Sequence, residues 1–445
     1  MTALDAGVID DAEVLHAAKK RRAQRAGSHR KFAQSCGNQA RMKAALSQAA
    51  VMESIEVQPE DLDAVSRVLT LENGRFDLEA LPGGGEVDVD PTEFAAALSD
   101  HSRLDRSTHI APTAFDGSAE CPKFMAFLEM IQPAAETRAY LQRVFGYTLS
   151  GSMAEQCAFL FRGEGANGKS TLLSTIGGVL GDYKVGCPIE TFLRDRGRSG
   201  SGPSPDLARL PGARMIVASE PETGAVLSEA RIKAFTGGEE ITARNLNEGF
   251  FDYLPQGKLF LSFNRTPQIK ADDDGTWRRL HIVPFPFTIP KGSRRKLEVV
   301  LAEFKTEAPG ILNWMLEGWR AYAADAGGLG MPPEVEVASR ELRESFDNLG
   351  QCIADLCVRD EREVLLFKAF RQVAGKWFDS QGITGPTPNS LGRRLSERGF
   401  KRTEVGKKSD RAYRGLRFKG PEENRPDEMQ SWLHEFDLPD VGGEF

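Results

Sequence analysis

With 445 residues, 40% hydrophobic and 27% charged, the chain has ordinary globular composition and room for about three domains. No apolar run approaches the roughly 18 residues of a membrane span, and the first residues lack the apolar core of an export signal, which sets aside membrane and secreted classes. The net charge of −7 conceals segregation: residues 17–52 carry nine Lys or Arg and no acid, 391–419 carry eleven against three acids, and 421–445 carry eight acids and one Arg. Basic blocks suit an anionic polymer such as nucleic acid, and each also suits a solvated helix face. Six scattered cysteines (36, 121, 157, 187, 352 and 357) form no CxxC pair and find no histidine at zinc spacing. They read as reduced, mostly buried thiols of a cytoplasmic protein.

In chain order, residues 1–58 read as a basic helical region and 59–149 as mainly helical. Within the latter, 69–81 reads as a β-hairpin turning at Asn73-Gly74. Helices are expected at 92–100 and 120–149. Apolar runs at 157–162, 214–218, 258–263 and 280–285 read as strands separated by helical or turn segments. That rhythm predicts an α/β core, 150–330, with a largely parallel sheet flanked by helices. The Gly-, Ser- and Arg-rich stretch 194–205 reads as a mobile loop. Helices return at 296–325, and 327–333 is a Gly/Pro linker. A small basic domain is expected over 335–420, with a helix, a turn, a second helix at 387–398 and a basic hairpin after it. Residues 421–445 read as an acidic, solubilising tail.

The most specific signal is GEGANGKST at 163–171. It fits the phosphate-loop pattern, with Gly163, Gly168, Lys169 and Ser170 at the fixed positions. Successive backbone N–H groups and a helix N-terminus would face phosphate oxygens. Lys169 would reach the β and γ phosphates, and Ser170 would ligate magnesium. Further on, RMIVASE ends a strand at Glu220, placed to hold magnesium or to activate water. KLFLSFN ends a strand at Asn264, whose amide would sense the γ-phosphate. DDDGTWRR ends in Arg278 and Arg279, either of which would neutralise transition-state charge as a finger.

Taken together, these motifs resemble the helicase half of phage-, plasmid- and poxvirus-type primase-helicases, superfamily 3 members of the AAA+ class. The loop form that includes Gly165, Asn167 and Thr171 is similar to that family's, as are 207–220 (LARLPGARMIVASE) and 231–244 (RIKAFTGGEEITAR). Outside the core, 72–78, 121–128, 141–151 and 307–319 resemble the family's flanking helical segments. The likeness covers about 60–420 and leaves out a catalytic primase domain.

The resemblance implies a P-loop AAA+ core with a helical domain before it and a winged-helix domain after it. It implies ATP and Mg2+ as cofactors, a homo-hexameric ring, and fingers that act on a neighbouring subunit's ATP. Single-stranded and forked DNA, with a primase, polymerase or initiator, are the implied partners, in the cytoplasm, a bacterial host's if the chain is phage or prophage encoded. The DNA element would be 241–253, with Lys233 and Arg244 contacting phosphates; Phe250 and Phe251 read as core or as stacking residues, with core the favoured reading for adjacent aromatics on a strand. Arg393, Arg394, Lys407 and Lys408 would contact DNA from the winged domain. The competing readings are a loop-type ATPase or kinase acting on something other than DNA, which leaves the basic blocks and the hairpin region unexplained, and a DNA-binding initiator or regulator without processive unwinding.

Overall fold

The computed structural model describes residues 19–20, 38–49, 52, 57, 61–81, 91–194, 204–219, 225–245, 249–264, 266–269, 274–324, 328–406 and 409–438. The mobile loop expected at 194–205 lies mostly outside them. The chain divides into Met1–Leu62 and Asp63–Phe445. In the first unit, α1 (Gln39–Ala49) buries none of its residues.

The second unit opens on a sheet in a region expected to be mainly helical. β1 (Val68–Leu71) and β2 (Gly74–Asp77) pair antiparallel, and β3 (Leu98–Ser99) joins β2. The turn residues are Glu72 and Asn73, one position earlier than expected, because Leu71 pairs with Gly74. The helix expected at 92–100 is a 3-10 segment, Pro91–Ala97. Two helices follow, α2 (Pro122–Ile131) and α3 (Ala135–Leu149).

The core then runs β4 (Ala158–Arg162), α4 (Lys169–Leu180), β5 (Lys184–Gly186), β6 (Met215–Ser219), α5 (Glu229–Gly237), β7 (Ile241–Arg244) and β8 (Phe250–Tyr253). It continues through β9 (Lys258–Phe263), α6 (Asp274–Trp277), β10 (Leu280–Pro284), α7 (Leu297–Thr306), α8 (Ala308–Ala324) and α9 (Pro333–Phe346). Five strands form one sheet in the order β10-β4-β9-β6-β5, every neighbouring pair parallel. The near-continuous apolar strands are explained by burial on both faces. Alternation sorts their side chains: Phe159, Phe161, Phe260 and Val283 join the cluster beneath α2, α3, α4 and α8. Ala158, Leu160, Leu259, Leu261 and Ile282 join the opposite cluster, with Ile232, Phe235, Ala338 and Leu342.

α3 and α8 touch backbone to backbone. A Cβ at Gly146 would sit 2.1 Å from Trp319 N, and one at Gly318 would sit 2.0 Å from Gln142 O. No larger residue fits either crossing point, so the helix before the core and the helix after it are locked together.

The boundary expected at 335 moves. α9 carries Ala338 and Leu342 into the central sheet's cluster, and Ser339 Oγ accepts from Ile282 N at 3.0 Å. The following cluster begins at Leu349 and extends to Leu433. It comprises α10 (Asn348–Leu356), β11 (Cys357–Val358), β12 (Val364–Leu366), α11 (Phe367–Ser380), α12 (Pro388–Glu397), β13 (Lys401–Val405), β14 (Asp410–Arg414), β15 (Arg417–Phe418) and α13 (Met429–Glu435). β12, β14 and β13 make a three-stranded antiparallel sheet. The first part of the expected acidic tail is folded rather than loose. Met429 and Leu433, one helical turn apart, are fully buried, Glu423 forks onto Arg417, and Lys376 pairs with Glu435 at 2.7 Å. Residues 439–445 lie outside the described residues.

Candidate nucleotide site and its surroundings

In a parallel sheet every strand delivers its following loop to the same edge. The phosphate loop leaves β4 there, Asn264 leaves the adjacent β9, and Phe285 leaves β10 on the other side. Lys169, the first residue of α4, is buried. Its Nζ donates to Gly163 O at 2.8 Å, to Asn264 Oδ1 at 3.1 Å and to Asn167 Oδ1 at 3.3 Å. Two residues expected to act together from 95 positions apart, Lys169 and Asn264, are therefore in contact.

The loop's backbone curls through positive φ at Gly165 (104°), Ala166 (52°) and Gly168 (80°). The N–H groups opening α4 have no partner within the helix. Together with the helix dipole they form a concavity suited to an anion. Gly168 is also sterically required, since a Cβ there would meet Ile131 Cγ2 at 2.6 Å and Phe127 Cζ at 3.0 Å. Ser170 is exposed on the first turn and Thr171 half-buried beside it. These residues fit a phosphate chain with a magnesium ion on the Ser170 hydroxyl.

Asn167 braces the loop. Its Oδ1 accepts from Gly165 N at 2.6 Å, and its Nδ2 donates to Phe287 O at 2.8 Å, Phe285 O at 3.2 Å and Thr288 Oγ1 at 3.3 Å. Ile289 N adds a bond to Ala166 O at 2.9 Å. Asn167, expected among the ligand contacts, turns its amide nitrogen to the chain leaving β10 and its amide oxygen to the loop. The partner is 118 residues away and offers backbone carbonyls, so no local signal marks it.

Arg278 and Arg279 precede β10 and lie at the opposite edge of the sheet. Five strand residues separate the edges by roughly 16 Å, so neither reaches the loop of its own chain. They differ in surroundings. Arg279 is half-buried and donates to Thr236 Oγ1 at 3.2 Å and Gln156 O at 3.3 Å, whereas Arg278 is exposed. Glu220 lies outside the described residues.

β7 and β8 pair as a separate hairpin, Ile241 opposite Tyr253 and Arg244 opposite Phe250, spanning the expected segment. Phe250 is not core, because a two-stranded hairpin has no second layer to bury its outer face: it is 56% exposed, with the Arg244 guanidinium 5.1 Å above its ring. Phe251 is half-buried. Lys233 is half-buried on α5. On α12, Arg393 is exposed and lies 3.5 Å from Glu397, while Arg394 is half-buried. Lys407 and Lys408 lie outside the described residues.

At the edge where the strands begin, two buried basic side chains are held by main-chain carbonyls. Lys258 donates to Ser150 O and Gln256 O, and its Nζ lies 4.4 Å from the Tyr147 ring centroid; burial holds its ammonium well below the usual lysine range. Arg214 donates to Ser66 O and Val68 O, with burial pushing its guanidinium down to about 10. On β10, His281 shares a 2.6 Å hydrogen bond with Tyr140, and burial pushes its imidazole down to about 4.

Among the described residues, no group of three or more His, Cys, Asp or Glu is placed to hold a metal, and no helix is long and apolar enough to cross a membrane.

Comparison with known proteins places these features in context. Residues 7–133 match the "D5 N terminal like" family. A putative helicase of Acanthamoeba polyphaga mimivirus is 30% identical over 351 residues, 74% of this chain and 35% of that protein. A putative helicase of Frog virus 3 is 30% identical over 181 residues, covering 40% and 18%. A putative primase of African swine fever virus is 25% identical over 223 residues, covering 49% and 22%. The chain thus spans about a third or less of these relatives' lengths. A solved structure, the C-terminal region of NrS-1, overlaps 67% of this chain and 76% of its own with a TM-score of 0.43 and 14% identity.

Proposed function

The chain belongs to the primase-helicase family, and from that premise we propose that it is an ATP-driven DNA motor that works as a ring and unwinds duplex DNA during replication. The observation that carries this reading is the meeting of Lys169 with Asn264 at 3.1 Å, at the edge where the phosphate loop leaves the sheet.

Lys169 and the N–H groups opening α4 hold the β and γ phosphates of ATP. Ser170 holds Mg2+, which neutralises charge on the phosphate oxygens when bound. Asn264 reports the γ-phosphate to β9, and Glu220 orients the water. Arg278, exposed at the far edge, completes the site of the next subunit, which makes an oligomer, by the family resemblance a hexameric ring, the working form. Catalysis is then positioning and charge neutralisation. The hairpin β7–β8 presents Arg244 and Phe250 as a phosphate contact and a stacking face for one DNA strand. A winged-helix arrangement built on α12 and the β13–β14 hairpin, with Arg393 and Arg394, adds a second DNA contact.

The test is displacement of a labelled strand from a tailed duplex. The wild type unwinds with ATP, and Lys169→Ala, with its fold checked by circular dichroism, unwinds nothing. Binding of the duplex with no displacement in any assembly state would instead establish the initiator or regulator reading.

A further inference from the structure

Arg278 directly follows α6, a helix of only four residues. A single turn cannot hold itself in water, so the place of Arg278 is set by whatever packs on that turn. α9 packs on it twice. The Phe346 ring stacks on the Trp277 indole, with centroids 6.4 Å and planes 27° apart, and Arg343 pairs with Asp274. The ion pair is open to solvent on both sides and contributes little. The stack is the firmer hold: Trp277 is buried in the same cluster as Ala338 and Leu342, while Arg278, the next residue, is exposed.

α9 reaches this turn from the sheet. Ser339, Leu342, Arg343 and Phe346 recur at helical spacing and share one face. Ser339 accepts from Ile282 in the middle of β10, and Phe346, about 10 Å further along the helix, meets Trp277 ahead of β10. α9 therefore runs antiparallel to β10 and ends beside the finger turn. The residue after it, Asp347, is tied to the C-terminal cluster. Its Oδ1 accepts from Gly350 N at 2.9 Å, capping α10, and from the guanidinium of Arg398, the residue that follows α12. The fit is close: a Cβ at Gly350 would lie 2.2 Å from Asp347 Oδ2 and 3.3 Å from Arg398 Nη1.

We propose that α9 is a positioning lever, in which Phe346 sets the place of Arg278 and the Asp347–Arg398 pair passes a displacement of α12 on DNA to that finger. The proposal rests on the reading of Arg278 as a finger and of α12 as a DNA contact, and adds what regulates the first by the second. Its basis is adjacency. Phe346 faces the finger turn and Asp347, the next residue, holds the end of α12, so a shift of α12 acts on the end of α9 that grips Trp277. The finger then enters the neighbouring site in step with DNA engagement by its own subunit.

Steady-state ATP hydrolysis by the full chain, with and without a single-stranded oligothymidylate, tests both links. Phe346→Ala should lower kcat by about 10²-fold, the scale of a small misplacement of a catalytic group, and leave KM for ATP unchanged. Phe346→Tyr, which keeps the ring, should restore kcat. Asp347→Asn keeps the cap acceptor and loses the charge that holds Arg398; Arg398→Gln removes the charge from the other side. Each should keep basal turnover and oligothymidylate affinity and lose the stimulation by DNA that the wild type shows. Normal kcat in Phe346→Ala, or a joint loss of kcat and ATP affinity that Phe346→Tyr does not restore, overturns the lever. Full stimulation in Asp347→Asn and Arg398→Gln, or a wild type indifferent to DNA, overturns its link to α12. Arg278→Ala separates these outcomes from the finger reading: normal turnover there sinks the finger itself, whereas lost turnover there beside full turnover in Phe346→Ala sinks the lever alone.

Discussion

Two lysines of the central sheet are almost equally buried, at 5% and 1% exposure for Lys169 and Lys258, and they are held in opposite ways. Lys169, where the strands end, is held partly by the side-chain amides of Asn167 and Asn264. Lys258, where the strands begin, is held by main-chain carbonyls and an aromatic face. The Asn264 amide can give up the cation to a phosphate with a rotamer change. Main-chain carbonyls of Ser150 and Gln256 cannot move without the chain moving. The first edge is therefore arranged to exchange partners, and the second to fasten the preceding region onto the sheet.

Arg278 is the sharpest challenge to that division, because it is assigned a catalytic task from the fastening edge. Arg278→Ala should bind ATP normally and lose hydrolysis by about 10³- to 10⁵-fold, the scale of an arginine finger supplied in trans. It should also poison wild-type rings when mixed with them. Arg279→Ala should keep hydrolysis and lower the melting temperature, since it removes the bonds to Gln156 and Thr236. Steady-state turnover of the two variants, alone and mixed, reads both effects. Normal turnover in Arg278→Ala would return that edge to a purely structural role.

The contrast also explains which features were legible in the sequence. The phosphate loop is a local pattern, and the strands were readable because burial on both faces leaves continuous apolar runs such as 258–263. Burial is not destination, however: the periodicity of α9 says that one face is buried, not that Ala338 and Leu342 face the central sheet rather than the next cluster. β5, three residues long, is too short to carry a period. Phe250 and Phe251 looked like core because adjacency of aromatics says nothing of whether a second layer covers them. The acidic stretch looked like a tail because charge outweighed a single stripe, Met429 and Leu433. The contacts that join the end of α9 to Trp277 and to Arg398 come together only in the tertiary structure.

A smaller effect, on stability, tests the fastening edge through His281. Burial pushes its imidazole down to about 4, so it stays neutral in the folded protein. The unfolded chain, at about 6.5, takes up the proton first. The native state then loses stability as pH falls from about 6.5 to about 4, by on the order of 3 kcal/mol over the full window. His281→Gln, which keeps a hydrogen-bonding group beside Tyr140 and does not titrate, should flatten that part of the profile. Urea melts at pH 7, 6 and 5 measure it; an unchanged slope in the variant would place the proton uptake elsewhere.

Lys258 makes the smallest and most discriminating prediction. Its ammonium is depressed by burial, so the unfolded chain binds the proton at a pH where the folded chain has released it. Between the depressed folded value and the unfolded value of about 10.4, native stability therefore rises with pH. The contribution is about 1.4 kcal/mol per pH unit wherever the two states differ by a full proton. Lys258→Met keeps most of the volume and removes the titration. Its stability relative to wild type should improve as pH falls from 10 to 8, because the wild type carries a desolvation cost that methionine does not. The same substitution should leave ATP affinity unchanged, while Lys169→Met should abolish it with little change in the pH slope. Equal pH slopes for wild type and Lys258→Met would mean that the two lysines are not opposites, and that the carbonyls around Lys258 hold it as a fully charged ion.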